Sequence, residues 1–422
     1  MHTTPQFWRP PTASIRAYRS ALRVLMVAGT VAAAACGGPQ TPSRAATVVQ
    51  QPTPSLSDAE IRDLDIAFYS ERAQRDPTGA LDLAHLGSLY LARGRETGDP
   101  RDAELAEGAA RRSLNNRSAR NEQAAQVLQA SLLSQHRFDE ALAIAIAARD
   151  ADPDNAALRA SVGDIQMELG QYDAARVSFS NLHVALGDLS VGPRLARWAE
   201  IEGQPEKARR ILAAVVKNAR REVKMPRERM AWYWLRVGDV ELRMGNLRGA
   251  DSAYRAGMAV HPEDYRLLSA LAHSAALQQK WPEAIAFGER AIAQTLDPAT
   301  LGTLSDAYTA IGDSAKSTEY QRVLDVIVLK QPGAYHRAWS LFLLDHDRHI
   351  ATVSRKVREE LRTRKDVYAY DLLAWALHKQ GRHQEASSAM QLALRMGTKD
   401  PQLFRHAEAI ERALGPSAAG QP

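Results

Sequence analysis

The densest group of side chains able to do chemistry is Asp345, His346, Asp347 and His349, four hard or borderline metal ligands within five residues, with His336 nearby in the chain. Such a set would take a divalent cation. The spacing is wrong for zinc, which usually draws two ligands from each of two elements. The group also falls where a turn between helices is expected, a place in which Asp and His are ordinary solvated residues. The preferred expectation is that no metal is held here; a solute- or metal-binding accessory protein using Asp345 to His349 is the alternative. Isolated histidines such as His85 and His183 carry no ligand pattern. The only cysteine is Cys36, so an internal disulfide is excluded and no cysteine nucleophile lies in the body of the chain.

Catalytic signatures are missing as well. No Gly-rich phosphate loop with a following Lys-Ser or Lys-Thr, no G-x-G-x-x-G, no H-E-x-x-H and no G-x-S-x-G is present. The expectation is a protein that is not an enzyme, with no catalytic residue and no cofactor. The 54 basic and 49 acidic side chains give a net charge of +5, but four of the arginines (Arg9, Arg16, Arg19 and Arg23) lie in residues 1–35, which carry no Asp or Glu. The chain beyond residue 35 is nearly neutral. Such a balance supplies no counterion-release drive toward nucleic acid, and nucleic acid is not expected as a partner.

The elements that would position any site begin with the N-terminus. Residues 1–35 read as an export signal: an Arg-bearing start, the apolar run Val24 to Ala35, then small residues. That run of 12 residues is too short to span a bilayer, which takes about 20. The setting Ala33-Ala34-Ala35-Cys36-Gly37-Gly38 resembles a bacterial lipoprotein signal, although Ala33 stands where Leu is usual. The resemblance implies that Cys36 becomes the lipidated first residue of an exported protein, anchored to a membrane and facing the periplasm or cell exterior. Residues 36–56, rich in Pro, Gln, Thr, Ser and Ala, read as a flexible linker. Ser57-Asp58-Ala59-Glu60 fits a capping box and opens the folded part, 57–414; residues 415–422 read as a disordered tail.

Within the folded part a small residue recurs near the start of every second helix: Ala141, Ala175, Ala208, Ala250, Ala284, Ser317, Ala351 and Ala386. The intervals are 34, 33, 42, 34, 33, 34 and 35 residues. Two helices of about 13 residues and two turns use up that length. The best-formed unit is Ala231 to Pro262, with apolar helical faces on either side of the breaker Gly245-Asn246, and with Gly238 and Ala250 read as the close contact between its helices. The long interval falls at Lys217 to Arg229, with six basic and two acidic side chains, read as a solvated loop or a contact with an anionic surface.

The pattern Trp234, Val237-Gly238, Ala250, Tyr254, Gly257 and Pro262, with Glu241 as the departure, resembles a tetratricopeptide repeat, and the spacing extends the resemblance over roughly residues 80 to 396. The resemblance implies an all-α solenoid of about nine helix hairpins wound as a right-handed superhelix. Asp400-Pro401 and Leu403 to Leu414 would supply a C-terminal capping helix. The first helices would line a concave groove that takes a protein or peptide, with Arg197, Asp239, Arg243, His273, Asp306, Asp371, Trp375 and His378 pointing into it. Mixed in sign and with one aromatic, this set suits an extended peptide or a polar protein surface. Trp234 and Trp281 fall at core positions of the pattern, whereas Trp375 does not.

Overall fold

The computed structural model describes residues 56–180, 182–330 and 337–415. The readings placed on residues 1–55, Cys36 among them, on His336 and on the tail from 416 lie outside the described residues. Leu56–Pro422 forms one compact unit. Every regular element described is an α-helix.

A leading helix α1 (Asp58–Arg75) starts at Ser57, whose hydroxyl accepts the Glu60 amide at 3.2 Å while its own amide donates to the Glu60 carboxylate at 2.8 Å. Two free amides of the helix start are thereby satisfied. Among the described residues, nine helix hairpins come after it. They are α2 (Ala80–Thr97) with α3 (Arg101–Asn116), α4 (Glu122–Ser134) with α5 (Phe138–Ala151), α6 (Ala156–Glu168) with α7 (Tyr172–Phe179), and α8 (Gly192–Ile201) with α9 (Pro205–Ala219). Then come α10 (Arg227–Arg243) with α11 (Leu247–Val260), α12 (Tyr265–Leu277) with α13 (Trp281–Gln294), and α14 (Pro298–Ala310) with α15 (Ser314–Lys330). The last two are α16 (Arg337–Asp345) with α17 (Ile350–Glu360) and α18 (Val367–Lys379) with α19 (His383–Leu394), before a final single helix α20 (Pro401–Leu414).

In six of the hairpins a small side chain is buried near the start of the second helix. Ala141, Ala175, Ala208, Ala250, Ala284 and Ala386, each the fourth residue of its second helix, are fully buried. Hairpin eight departs from the expected spacing. Ala351 is exposed, and Val353, the fourth residue of α17, fills the buried place. The turn 346–349 is one residue longer than the turn 380–382 of the next hairpin and holds Asp347 and His349 in the left-handed region. That extra residue shifts the helix start. The expected pairing of Gly238 with Ala250 also needs correction, because a Cβ at Gly238 would lie 2.2 Å from the Tyr254 ring. The glycine makes room for the aromatic of the second helix, as Gly163 does for Phe179. Trp234 is only half-buried, with the Arg220 guanidinium over its ring at 5.0 Å, while the adjacent Tyr233 takes the core place.

Apolar residues are buried in a series of clusters between neighbours, such as Leu128, Phe138, Ala141 and Ile165, then Ala250, Tyr254, Leu267 and Leu271. No single centre gathers them, as expected of an array in which each unit supports the next. At the end, Ala407 and Ile410 of α20 close over Ala374, Leu377 and Met390 of the last hairpin.

The array also coils back onto itself. Leu169 accepts the Lys365 amide at 3.1 Å, the Tyr172 hydroxyl accepts the Val367 amide at 2.8 Å, and Arg395 donates to the Gly170 carbonyl at 3.1 Å. Thr398 donates to the Ile201 carbonyl at 2.7 Å, and Thr295 to the Thr97 carbonyl at 2.9 Å. These partners lie 195 to 225 residues apart, which joins the third hairpin to the ninth and the fourth to α20. At each join a glycine sits in the turn after a first helix. Gly170 (φ 73°) leaves only 2.2 Å between a would-be Cβ and the Lys365 carbonyl oxygen, and Gly203 (φ 70°) only 2.1 Å to that of Gly397.

Candidate functional site

Because the array closes, the inner ends of its first helices surround a cavity of about 820 Å³. Its wall comes from α2, α4, α6, α8, α10, α16 and α18, all first helices, with the segments leading into α8, α18 and α20. In α10, Arg229, Arg236 and Arg243 recur at seven-residue spacing and so share one helical face. In α8, Arg194 and Arg197 do the same at a spacing of three. Arg337, Arg364, Tyr368 and Asp400 arrive from the following turn of the coil.

Eight arginines line the cavity (Arg95, Arg194, Arg197, Arg229, Arg236, Arg243, Arg337 and Arg364) against four carboxylates (Asp164, Glu200, Glu228 and Asp400). The carboxylates are shared. Glu200 takes Arg236 at 2.9 Å and also Arg243; Glu168, just behind the wall, takes Arg197 and, at 3.1 Å, Arg364. Glu228 serves Arg266 at 2.9 Å and Arg95 at 3.4 Å. Burial pushes Glu168 up, but Arg197 and Arg364 outweigh it and hold the carboxyl below its usual range. Asp164 goes the other way. Burial raises it despite Arg194 and Arg197. Burial would lower Arg197 and Arg243, yet Glu168 and Glu200 respectively win, and both guanidiniums stay charged.

The eight residues expected in one groove separate. Arg197 and Arg243 line the cavity. Asp239 stands beside it, bonded to Arg236 at 2.8 Å and accepting the Tyr254 hydroxyl at 3.1 Å. His273 is exposed, and its pKa is lowered by the surrounding protein first and by Arg405 second. Asp306 is exposed and bonded to His346 at 2.8 Å, away from the wall.

Asp371 is no groove contact at all. It is fully buried, gripped by Arg337 at 2.9 Å and by His406 of α20 at 2.7 Å, because α20 packs over the face that the sequence left open. Trp375 and His378 belong to the same junction. The indole lies between the rings of His406 at 4.3 Å and His378 at 5.0 Å, and its N–H donates to Asp345 at 2.8 Å. Arg194, Arg229 and Arg236 are missing from the expected set, although each shares a helix stripe with Arg197 or Arg243 and that spacing is visible in the sequence. Nothing local marks Arg337 or Arg364.

Three of the four candidate ligands of the turn Asp345 to His349 are bonded to neighbouring elements: Asp345 accepts from Trp375, His346 bonds Asp306 and the Phe342 carbonyl, and Asp347 accepts from Lys379 at 2.9 Å. No group of three or more His, Cys, Asp or Glu placed to hold a metal occurs among the described residues.

This geometry defines a class, a solenoid of α-hairpins whose first helices enclose a polar inner face. Residues 132–181, 237–299 and 367–396 each match models of the tetratricopeptide repeat, so the chain carries tetratricopeptide repeats. Curated proteins give no match. Among solved structures, a human IFIT1 dimer with PPP-AAAA is 15% identical, with a TM-score of 0.42 over 81% of this chain and 96% of that one. Pseudomonas aeruginosa pilF is 14% identical, with a TM-score of 0.33 over 67% and 99%. A tetratricopeptide repeat protein of Parabacteroides merdae is 13% identical, with a TM-score of 0.29 over 78% and 98%.

Proposed function

We propose that the protein is an exported, lipid-anchored scaffold that binds a segment of another protein in its inner cavity and performs no catalysis. The observation carrying the binding half is that seven first helices turn polar side chains onto one cavity of about 820 Å³, within the range of recognition pockets and too small for a folded domain. The anchoring half rests on Cys36 and the apolar run before it. No helix among the described residues is long and apolar enough to cross a membrane, so the lipid on Cys36 is the anchor in this reading.

A photo-reactive residue placed at Trp232, on the cavity wall, should crosslink a partner in native membranes, while one at the exposed Val326 should not. Equal labelling from both positions would refute the inner-face reading. For the anchor, the wild type should incorporate labelled fatty acid and fractionate with membranes, and Cys36→Ala should do neither. A wild type without label would remove the anchor.

A further inference from the structure

Outside the cavity, the long interval between the fourth and fifth hairpins is taken up by residues 220–226, which join α9 to α10. This loop is built from tight turns: the Arg221 amide donates to the Asn218 carbonyl at 2.9 Å, that of Glu222 to Ala219 at 3.1 Å and that of Met225 to Glu222 at 3.3 Å. Met225 turns inward and packs on the cluster that holds Val216, Ala219 and Tyr233. Val223 turns outward and is 97% exposed. Leu186, 67% exposed, stands at the same end of α9, because Asn218 donates to the Leu186 carbonyl at 3.4 Å and to the Gly187 carbonyl at 3.0 Å. Single apolar residues scattered over a surface need no explanation. These two sit on adjoining loops, and Lys217, Arg220, Arg221, Lys224 and Arg227 are exposed in the same stretch. The acidic groups there answer only part of that charge: Glu222 and Asp58 are exposed, Asp188 turns its carboxylate onto the Ser190 and Val191 amides, and Glu228 is taken up by Arg266 and Arg95.

We infer that this end of the molecule docks on an anionic lipid bilayer, with Val223 and Leu186 entering the interface and the neighbouring Lys and Arg side chains meeting lipid phosphates. A contact of that kind gains from buried apolar area and from the negative surface potential together. The loop also lies where residues 1–55 join the folded body. Arg227 Nε is 3.7 Å from Asp58 Oδ2 in the first turn of α1, and Glu228 pairs with Arg95 of α2 at 3.4 Å, which sets the start of α10 beside the start of α1. Leu56, two residues before Asp58, is exposed as well. This argument from placement rests on the reading of Cys36 as a lipid anchor, since an anchored chain holds the face it leaves from nearest the bilayer; the charge of the loop and its apolar tip do not depend on it. An acidic protein surface would answer the same charges but gives Val223 no role. A side chain that protrudes alone enters a fluid interface directly, whereas a folded partner has to supply a recess shaped for it.

The test is a polarity-sensitive fluorophore on Val223→Cys in the full chain carrying Cys36→Ala, so that the introduced thiol is the only one. Vesicles of phosphatidylcholine mixed with phosphatidylglycerol should shift its emission to the blue and shield it from an aqueous quencher. Salt at about 1 M should reverse both effects, since it shortens the screening length to about 3 Å. Pure phosphatidylcholine should produce neither, and the same fluorophore on Val326→Cys should stay in water. Arg221→Gln with Lys224→Gln should raise the lipid concentration at the midpoint by about 25-fold, about fivefold for each positive charge lost near an anionic surface. Arg248→Gln, in α11 just past the other end of α10, should leave it within about twofold. Each of these side chains is exposed, so no variant removes a core contact. Residues 1–35, with four arginines and an apolar run, are able to hold the chain on anionic vesicles by themselves. If they alone do so, the Val223 reporter stays in water and the double variant changes nothing, which overturns the inference. An equal shift on phosphatidylcholine or at Val326 overturns it too. Fatty-acid labelling of Cys36 is a separate readout: its failure removes the anchor and leaves a shifted Val223 reporter standing, whereas a silent reporter with a labelled wild type removes only the docking surface.

Discussion

Gly170→Ala tests whether successive turns of the coil touch, and Gly381→Ala is its control. Both glycines follow a first helix, both are left-handed (φ 73° and 74°), and alanine at either costs about 1 to 2 kcal/mol for that conformation. The surroundings differ. At Gly381 a Cβ would meet nothing within 4 Å, whereas at Gly170 it would lie 2.2 Å from the Lys365 carbonyl oxygen. A backbone carbonyl cannot swing aside like a side chain, so the join must open. Hydrogen bonds across it include Lys365 N–H to Leu169 at 3.1 Å, Val367 N–H to Tyr172 at 2.8 Å, Arg395 to Gly170 at 3.1 Å and Arg364 to Glu168 at 3.1 Å. At about 1 kcal/mol each they amount to about 4 kcal/mol, so Gly170→Ala should cost about 3 to 4 kcal/mol more than Gly381→Ala. Urea titration measures the difference, and hydrogen exchange locates it: the Lys365 and Val367 amides should lose protection in Gly170→Ala alone. Equal losses in both variants, with these amides still protected, would refute contact between the turns.

Trp375→Ala should destabilise the C-terminal cap by about 2 to 3 kcal/mol, less than for a fully buried tryptophan, and speed tryptic cleavage in α20; unchanged stability with a lost partner would return the residue to the groove. Gly238→Ala, with its Cβ 2.2 Å from the Tyr254 ring, should cost about 1 to 3 kcal/mol, read from a denaturant melt. His346 is raised by its bond to Asp306 first and by the Phe342 carbonyl as a smaller cause. A raised histidine contributes stability that is fully present below its ordinary value near 6.5 and is lost as pH climbs through the folded value. Asp306→Asn should therefore destabilise the protein at pH 5.5 by less than about 1 kcal/mol, since the pair is part-exposed, and hardly at all at pH 8.5; the reverse ordering would refute the pairing.

The hairpin is legible in the sequence because its determinants are local. A small residue in the fourth place of a second helix and a left-handed glycine in the turn before it recur within a window that periodicity detects, as Ala250 and Gly245 do, with an aromatic four residues further on at Phe179 and Tyr254. Where the local rule bends, in the long turn 346–349, the counted small residue Ala351 is displaced from the contact by Val353. Choosing between Tyr233 and Trp234 is equally beyond the pattern, since adjacent aromatics on one helix leave a rotation of the helix undecided.

The cavity is a different kind of object, and its physics explains why the eight named residues scatter. A face that is open in an isolated hairpin is assigned to the groove by default, but the coil and the cap decide which open faces stay open. At Asp371 the cap arrives as His406, 35 residues away, and at Glu168 the next turn arrives as Arg364, 196 residues away. No local period encodes the second distance; it follows from the small rotation between stacked units, summed over six of them. The arginine stripe of α10 is local and can be read, yet its meaning comes from Arg337 and Arg364 facing it across the turn. Closure thus makes both the join and the cavity, so opening the join at Gly170 should weaken a cavity ligand even though no residue contacting that ligand has changed.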